Sequence, residues 1–219
     1  MRIQSKADSD PIAALKMVDA YMRWALMAAE EVVGRQGMPG LLHGSGLERL
    51  AGNYPPDELS MTSNITFGDY ADLNAGLLNL FGPTGKNMAL RIGRLSARHG
   101  VERQSAMFNL AALAASKILP TLTQVKMGLE AMQDGYRRIL KQGWDGRVED
   151  RGATLAYITA YCPMCAGKQS DRPICWIFCG TLQEAILWQT GKYLDIEQTA
   201  CRAMGAPACV WEVSKTLRG

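Results

Sequence analysis

All six cysteines of this 219-residue chain fall between positions 162 and 209, and the first 161 residues contain none. The first ten residues lack the apolar core of a signal peptide, so we expect a cytoplasmic protein whose thiols stay reduced. Reduced cysteines that crowd into one short segment indicate metal or redox chemistry rather than disulfides. The cysteine segment therefore predicts a metal-stapled unit in the last third of the chain.

The composition limits what else the chain can be. Apolar residues make up 47% of it, which is enough to bury a proper core. The formal net charge is only +3 and the basic residues are scattered, so nucleic acid is not an expected partner. No apolar run reaches the roughly 18 residues that a membrane span requires, so we expect no transmembrane segment.

Helical periodicity dominates the first 142 residues. Asp10 has the chemistry of an N-cap and Pro11 suits a first helical position, so the pattern predicts a long helix that ends near Gly34. The Gly- and Pro-rich stretch 34–56 leaves room only for a short helix around 47–50. Further helices are predicted over residues 66–82, 83–98, 101–118 and 121–142.

Beyond Gly143 the pattern changes to one typical of a small mixed unit. A turn at Gly152 indicates a hairpin, and a helical stretch that ends at Gly191 separates it from two more strands. The predicted ranges are strands 147–150 and 154–161, helix 174–190, and strands 192–199 and 210–215. The expected fold class is α+β, with a helical N-terminal part followed by an antiparallel sheet in the order β-β-α-β-β.

The six cysteines form three closely spaced pairs, which is how chains supply four ligands to one tetrahedral metal ion. One pair flanks a tight turn between predicted strands, one lies at the start of the predicted helix, whose N-terminus favours thiolate, and one forms a CPMC knuckle. These pairs are Cys201 with Cys209, Cys175 with Cys179, and Cys162 with Cys165. A buried core thiol is an equal interpretation of Cys179, and CxxC is also a redox motif.

The segment 173–213 resembles the 4-vinyl reductase domain family, also described as a hydrocarbon-binding domain. The resemblance rests on Cys175 at the helix start, Gly191 after that helix, and the C-x-x-x-G-x-x-x-C turn that begins at Cys201. In the family's phenol- and xylene-sensing regulators, the cysteines that match Cys175, Cys201 and Cys209 bind zinc. An acid three positions before the middle cysteine completes that zinc site.

This chain departs from the family pattern at the acid. Position 198 is Gln, and the side chain of the neighbouring Glu197 would point to the opposite face of a regular strand. Either the strand bulges to present Glu197, or Cys162 or Cys165 supplies the fourth ligand. We expect structural zinc, with an iron–sulfur cluster as the alternative.

The resemblance implies a fold related to TRAPP subunits, in which helices and sheet enclose an apolar cavity. It divides the chain into a helix and connector over 1–65 and a ligand-binding domain over 66–219. Members of similar length are of the bacteriochlorophyll-synthesis type, so the expected ligand is a hydrophobic or tetrapyrrole-like molecule. Apolar side chains and guanidinium groups that could contact it, with core packing or a solvated face as the alternative, are Met88, Arg91, Arg94, Phe108, Tyr157 and Trp176.

Other functions remain open, namely an aromatic-sensing domain, a tetrapyrrole vinyl reductase and a TRAPP-like scaffold. A reductase would need a hydride source, and the sequence has no GxGxxG after a strand and no flavin fingerprint, so we expect a binding protein rather than an enzyme. The apolar stripe of the first helix predicts a homodimer. The two histidines, His43 and His99, are candidate axial ligands of a tetrapyrrole metal or ordinary surface residues.

Overall fold

The computed structural model describes residues 3–5, 10–103, 116–140 and 145–216. In this part of the chain, helices come first and an antiparallel sheet follows, which confirms the predicted α+β class. The α-helices are α1 (Asp19–Val33), α2 (Met38–Gly44), α3 (Phe67–Phe81), α4 (Gly85–Arg103), α5 (Thr121–Leu140) and α6 (Trp176–Thr190). The strands are β1 (Gln4–Ser5), β2 (Arg147–Asp150), β3 (Thr154–Thr159), β4 (Lys168–Gln169), β5 (Ile196–Ala200) and β6 (Cys209–Ser214).

The main sheet has four strands in the order β2-β3-β6-β5, and every neighbouring pair is antiparallel. Tyr157 pairs with Trp211 in the middle of the sheet, and both rings are fully buried on the face that α6 covers. Successive strand residues point to opposite faces, so the other face carries the charged residues Arg147, Glu149 and Glu212. A second, two-stranded sheet pairs β1 with β4.

The predicted first helix is wrong in its extent. Asp10 does cap a helical turn, since its carboxylate accepts the N–H of Ile12 at 3.4 Å, but that turn is a 3-10 helix that covers only Pro11–Ala14. The next residues are extended because they pair with the strand-like segment before α3, as in the bond from Met17 N to Ile65 O at 2.8 Å. Tertiary pairing therefore overrides helical periodicity here.

Two other boundaries also differ from the expectation. Helix α4 continues past residue 98, through Gly100 to Arg103, because Gly100 lies buried inside the helix packing. The Gly- and Pro-rich stretch contains the helix α2 in addition to a 3-10 turn at Glu48–Leu50, since buried Leu41 anchors it to the core. The predicted helix 101–118 falls mostly on residues 104–115, which lie outside the described residues.

Helices α4 and α6 touch backbone to backbone. A Cβ atom added at Gly93 would lie 1.9 Å from the carbonyl oxygen of Ile177, and one at Gly180 would lie 2.1 Å from that of Leu90. Only glycine permits so close an approach at both positions. This contact fixes α6, and with it the cysteine that precedes the helix, against the helical layer.

The apolar stripe of α1, which motivated the homodimer, is buried within the chain, with Met22, Ala25 and Leu26 fully inaccessible. The homodimer stays a prediction. Residues on both sides of position 65 share one hydrophobic core, and the division of the chain at that point also stays a prediction. Among the described helices, none combines the length and the apolar character needed to cross a bilayer.

Candidate metal centre and apolar cavity

Four buried thiols converge between the helical layer and the sheet. The Sγ atoms of Cys162, Cys165, Cys175 and Cys209 all lie within 4.8 Å of one another. Cys162 and Cys175 are 3.6 Å apart, Cys165 and Cys209 are 3.5 Å apart, and Cys175 and Cys209 are 3.9 Å apart. Zinc–sulfur bonds of about 2.3 Å in a tetrahedron place sulfurs about 3.8 Å apart, so the spacing fits one metal ion.

Three separate elements bring these thiols together. Cys162 and Cys165 flank the knuckle, a 3-10 turn that covers Pro163–Cys165. Cys175 is the N-cap residue of α6, and Cys209 is the first residue of β6. A metal at this point would cross-link the knuckle, the central helix and the sheet, which is the task of a structural metal site.

Cys201 and Glu197 are placed differently from these four. The Sγ atom of Cys201 lies 3.8 Å from that of Cys175, so it is a fifth buried thiol beside the mutually close set. Glu197 lies exposed on β5 opposite Glu212, and the irregularity of that strand falls after it, between Gln198 and Ala200. The structure thus brings both knuckle cysteines, and not Glu197, to Cys175 and Cys209.

Polar side chains hold the backbone around the thiols. The Nδ2 atom of Asn74, on α3, donates to the carbonyl oxygens of Met164 and Ile174 at 3.0 Å each. These two residues immediately precede Cys165 and Cys175, so one amide fixes two ligand positions. Sequence reasoning missed Asn74, although a buried amide on the apolar face of the helix 66–82 was a signal that could have indicated it.

Two further polar contacts complete this surround. Gln198, which occupies the position of the family's acid, accepts the N–H of Cys175 on its Oε1 atom at 3.0 Å. The N–H of Arg202 donates to the Sγ atom of Cys209 at 3.3 Å. Such contacts orient ligands and stabilise negative charge on sulfur.

The thiols share their protons unequally. Burial raises the pKa of Cys162 and raises that of Cys175 further. Hydrogen bonds from the neighbouring thiols, that of Cys162 first, lower the pKa of Cys165 to about 6. A cluster of buried thiols with one readily ionised member suits a cation that displaces the remaining protons, and the donor set therefore fits zinc.

An N-terminal strap, residues 10–14 with strand β1, covers the turn that carries two of the cysteines. The carboxylate of Asp10 accepts both guanidinium nitrogens of Arg202 at 3.0 Å each, and the N–H of Gly167 at 3.1 Å. Although burial opposes ionisation, these hydrogen bonds hold the pKa of Asp10 below its ordinary value. From the sequence, Asp10 was identified only as a helix cap.

Replacing Asp10 with Asn is expected to lower the free energy of unfolding by about 2 kcal/mol at pH 7, because Arg202 loses its charged partner. A lowered carboxyl pKa stabilises the fold above the unfolded value of about 4 and loses that contribution as the pH falls through the folded value. The difference between wild type and Asp10→Asn should therefore shrink below about pH 4. Urea unfolding at pH 7 and pH 3 measures it, and a difference that does not depend on pH would contradict the assignment.

An apolar cavity of about 110 Å³ lies next to the thiol cluster, between α1, α3, α4, α5, α6 and the knuckle. Its lining is predominantly aromatic and aliphatic, and the described lining residues include no Asp, Glu, Lys, Arg or His. The aromatic members are Tyr21, Trp24, Phe67, Tyr70, Tyr136, Phe178 and Trp188. Such a surface binds apolar molecules and offers tyrosine hydroxyls as its main polar groups.

The ligand contacts proposed from the sequence lie around this cavity rather than on it. Tyr157 is buried behind Phe178, with ring centroids 5.2 Å apart. Arg94 donates to Gln183 at 2.8 Å in a separate polar groove, and Trp176 is half-buried beneath the ammonium of Lys86. Of the remaining three, Met88 is half-buried, Arg91 is exposed, and Phe108 lies outside the described residues. Ligand contact by these six residues stays a prediction.

The fold is similar to that of several solved H-NOX structures. An unliganded Fe(II) H-NOX variant from K. algicida has a TM-score of 0.60 and 14% identity, covering 91% of this chain and 97% of that chain. An oxygen-binding H-NOX domain related to soluble guanylate cyclases has a TM-score of 0.56 and 11% identity, with 93% and 96% coverage. The S. oneidensis H-NOX protein in the Fe(II)NO state has a TM-score of 0.52 and 11% identity, with 90% and 99% coverage. At such identities the similarity establishes the fold alone.

In sequence, the C-terminal part of the chain gives the informative comparison. No curated protein is detectably similar to the chain. The family model of the 4-vinyl reductase domain matches residues 156–215, which include all five clustered thiols and the whole of α6. The resemblance seen in the sequence is thereby confirmed, and residues 156–215 of this chain are a 4-vinyl reductase domain.

Proposed function

We propose that this protein binds one small apolar molecule, of the size of a single aromatic ring, in the helix-lined cavity. Zinc held by Cys162, Cys165, Cys175 and Cys209 acts as a structural clamp beside that cavity. The observation that carries the proposal is the cavity itself, about 110 Å³ in volume and lined almost entirely by apolar and aromatic side chains. An engineered apolar cavity of about 150 Å³ stays dry and binds benzene, so a cavity of this size and lining suits a ligand of that class.

A structural role for the metal follows from the donor set. Catalytic zinc sites use three protein ligands and keep one position open for water or substrate. Here four thiols surround one point and all are buried, with Cys201 as a fifth beside them. Four thiolates complete the tetrahedron, and the metal then stabilises the fold without contacting the ligand. The sulfur spacing of 3.5–3.9 Å also favours one ion over an iron–sulfur cluster, whose several atoms hold thiolates further apart.

A tetrapyrrole ligand, and with it a role in bacteriochlorophyll synthesis, is the second candidate. It is supported by the similar solved structures, some of which are described as having a distorted heme or porphyrin. Two features of this chain favour the smaller ligand. Pockets for drug-sized molecules are of the order of 300–1,000 Å³. In addition, His43 and His99 bind Glu48 and Glu31 instead of facing the cavity.

Binding of benzene to the zinc-loaded protein tests the proposal. We expect benzene to bind with a dissociation constant in the millimolar range or below and to raise the thermal midpoint, because it fills an apolar cavity. Phenylalanine in place of Ala97, which lines the cavity from α4, should occupy the same space and weaken benzene binding at least tenfold.

Zinc content is the matched readout, since Ala97 lies on a different element from every thiol and Ala97→Phe should retain the metal. Absence of benzene binding by wild type would reject the single-ring ligand. A visible absorption band on addition of heme, with one heme bound per chain, would establish the tetrapyrrole candidate in its place.

A further inference from the structure

The thiol cluster and the cavity share one wall. Pro163 and Met164 are the two residues between Cys162 and Cys165, and both line the cavity. On α6, Phe178 lines the cavity three residues after Cys175. The same two segments that carry three of the four clustered thiols therefore form part of the ligand-facing surface.

This wall is fixed from outside by one residue. Asn74 donates to the carbonyl oxygens of Met164 and Ile174, and thereby ties the knuckle to the start of α6. Tyr70, one helical turn before Asn74 on α3, lines the cavity itself. The Met164 side chain is only 4% exposed, so it cannot move away from the cavity without disturbing this packing.

A metal ion would join the knuckle to α6 and β6 through strong bonds to sulfur. Without it, the position of Met164 depends on two hydrogen bonds from Asn74 and on packing, because the described knuckle is a single 3-10 turn. Structure that a metal orders is structure that an apolar ligand no longer has to order when it binds. Two ligands that favour the same arrangement of one wall raise each other's affinity.

We propose that metal binding at the thiols and ligand binding in the cavity are coupled through the Pro163–Met164 wall, so that each raises the affinity for the other by the same factor. This inference rests on the proposed function and adds its regulation. The free metal concentration then controls whether the cavity accepts its ligand. Couplings of this kind typically amount to about 5- to 150-fold, and we expect about tenfold here.

Two affinities, each measured in two states, test the coupling. The zinc affinity is measured by competition with a chromophoric chelator, with and without saturating benzene. The benzene affinity is measured by calorimetry on zinc-loaded and metal-free protein. We expect both ratios to be about ten and equal, because linkage is reciprocal.

Two truncations of similar size separate the shared wall from the rest of the cavity. Met164→Ala should bring the coupling ratio close to one. Leu129→Ala, on the opposite wall provided by α5, should weaken benzene binding in both metal states alike and leave the ratio near ten. Equal loss of coupling in both variants would overturn the role of the knuckle.

Cobalt(II) in place of zinc distinguishes local coupling from a general gain of folded protein. Tetrahedral cobalt thiolates absorb visible light, and their bands respond to the geometry of the sulfur ligands. Benzene should shift these bands in wild type and in Leu129→Ala, but not in Met164→Ala. Benzene that binds zinc-loaded and metal-free protein equally, without a band shift, would overturn the coupling and leave the proposed function intact. If the zinc-loaded protein binds no benzene, the single-ring ligand and the coupling both fail.

Discussion

Serine in place of Cys175 is expected to abolish stoichiometric zinc binding and to lower the free energy of unfolding by more than about 4 kcal/mol. Cys175 lies at the centre of the cluster, with its Sγ atom 3.6 Å from Cys162, 3.8 Å from Cys201 and 3.9 Å from Cys209. Its loss therefore removes the ligand that joins α6 to the other two elements. Metal analysis and urea unfolding of the purified variant measure both effects.

Cys179→Ser is the matched control for this substitution. Cys179 is also buried at the start of α6, but burial raises the pKa of its thiol to about 11, and the thiol donates to the carbonyl oxygen of Ile196 at 3.7 Å. We expect this variant to retain one zinc per chain. Full zinc content in Cys175→Ser, or its loss in Cys179→Ser, would contradict the assignment of the ligands.

Valine in place of Gly180 is expected to destabilise the protein by more than about 4 kcal/mol, or to prevent its folding. The added Cβ would lie 2.1 Å from the carbonyl oxygen of Leu90 and 3.1 Å from the amide nitrogen of Arg94, both of which are backbone atoms of α4. Because neither helix can yield locally, α6 would have to move away and carry Cys175 with it. Soluble yield and urea unfolding measure the effect.

Gly40→Ala provides the control for a glycine inside a helix. Gly40 lies in α2, and no atom lies within 4 Å of the position that its Cβ would occupy. Alanine should therefore raise the free energy of unfolding by up to about 1 kcal/mol through its helix propensity. Wild-type stability in Gly180→Val would show that α4 and α6 do not approach each other closely in solution.

The sequence predicts the C-terminal part of the fold well because its signals are local. Gly152 marks the hairpin turn, and Gly191 ends α6 in the left-handed conformation with a φ of 67°, where glycine is the favoured residue. The crowding of cysteines into 162–209 likewise indicates the thiol cluster. The positions of Cys162, Cys165, Cys175 and Cys209 in one mutually close set depend on how three elements pack, which spacing alone leaves open.

Long-range contacts account for what the sequence does not predict. Asn74 reaches Met164 across 90 residues, and Asp10 reaches Arg202 across 192, with no periodic pattern to announce either contact. The first helix is interrupted because the backbone of Met17 bonds to Ile65, a partner that helical periodicity cannot reveal. The cavity is likewise formed between five helices and the knuckle, so its lining follows from their packing and not from any motif.

Zinc K-edge X-ray absorption, combined with metal analysis of the wild-type protein, tests the central claim most directly. The account predicts one zinc per chain, bound by four sulfur atoms at about 2.3 Å and by no nitrogen or oxygen. A folded protein without metal, or a zinc ion with fewer than four sulfur ligands, would contradict it.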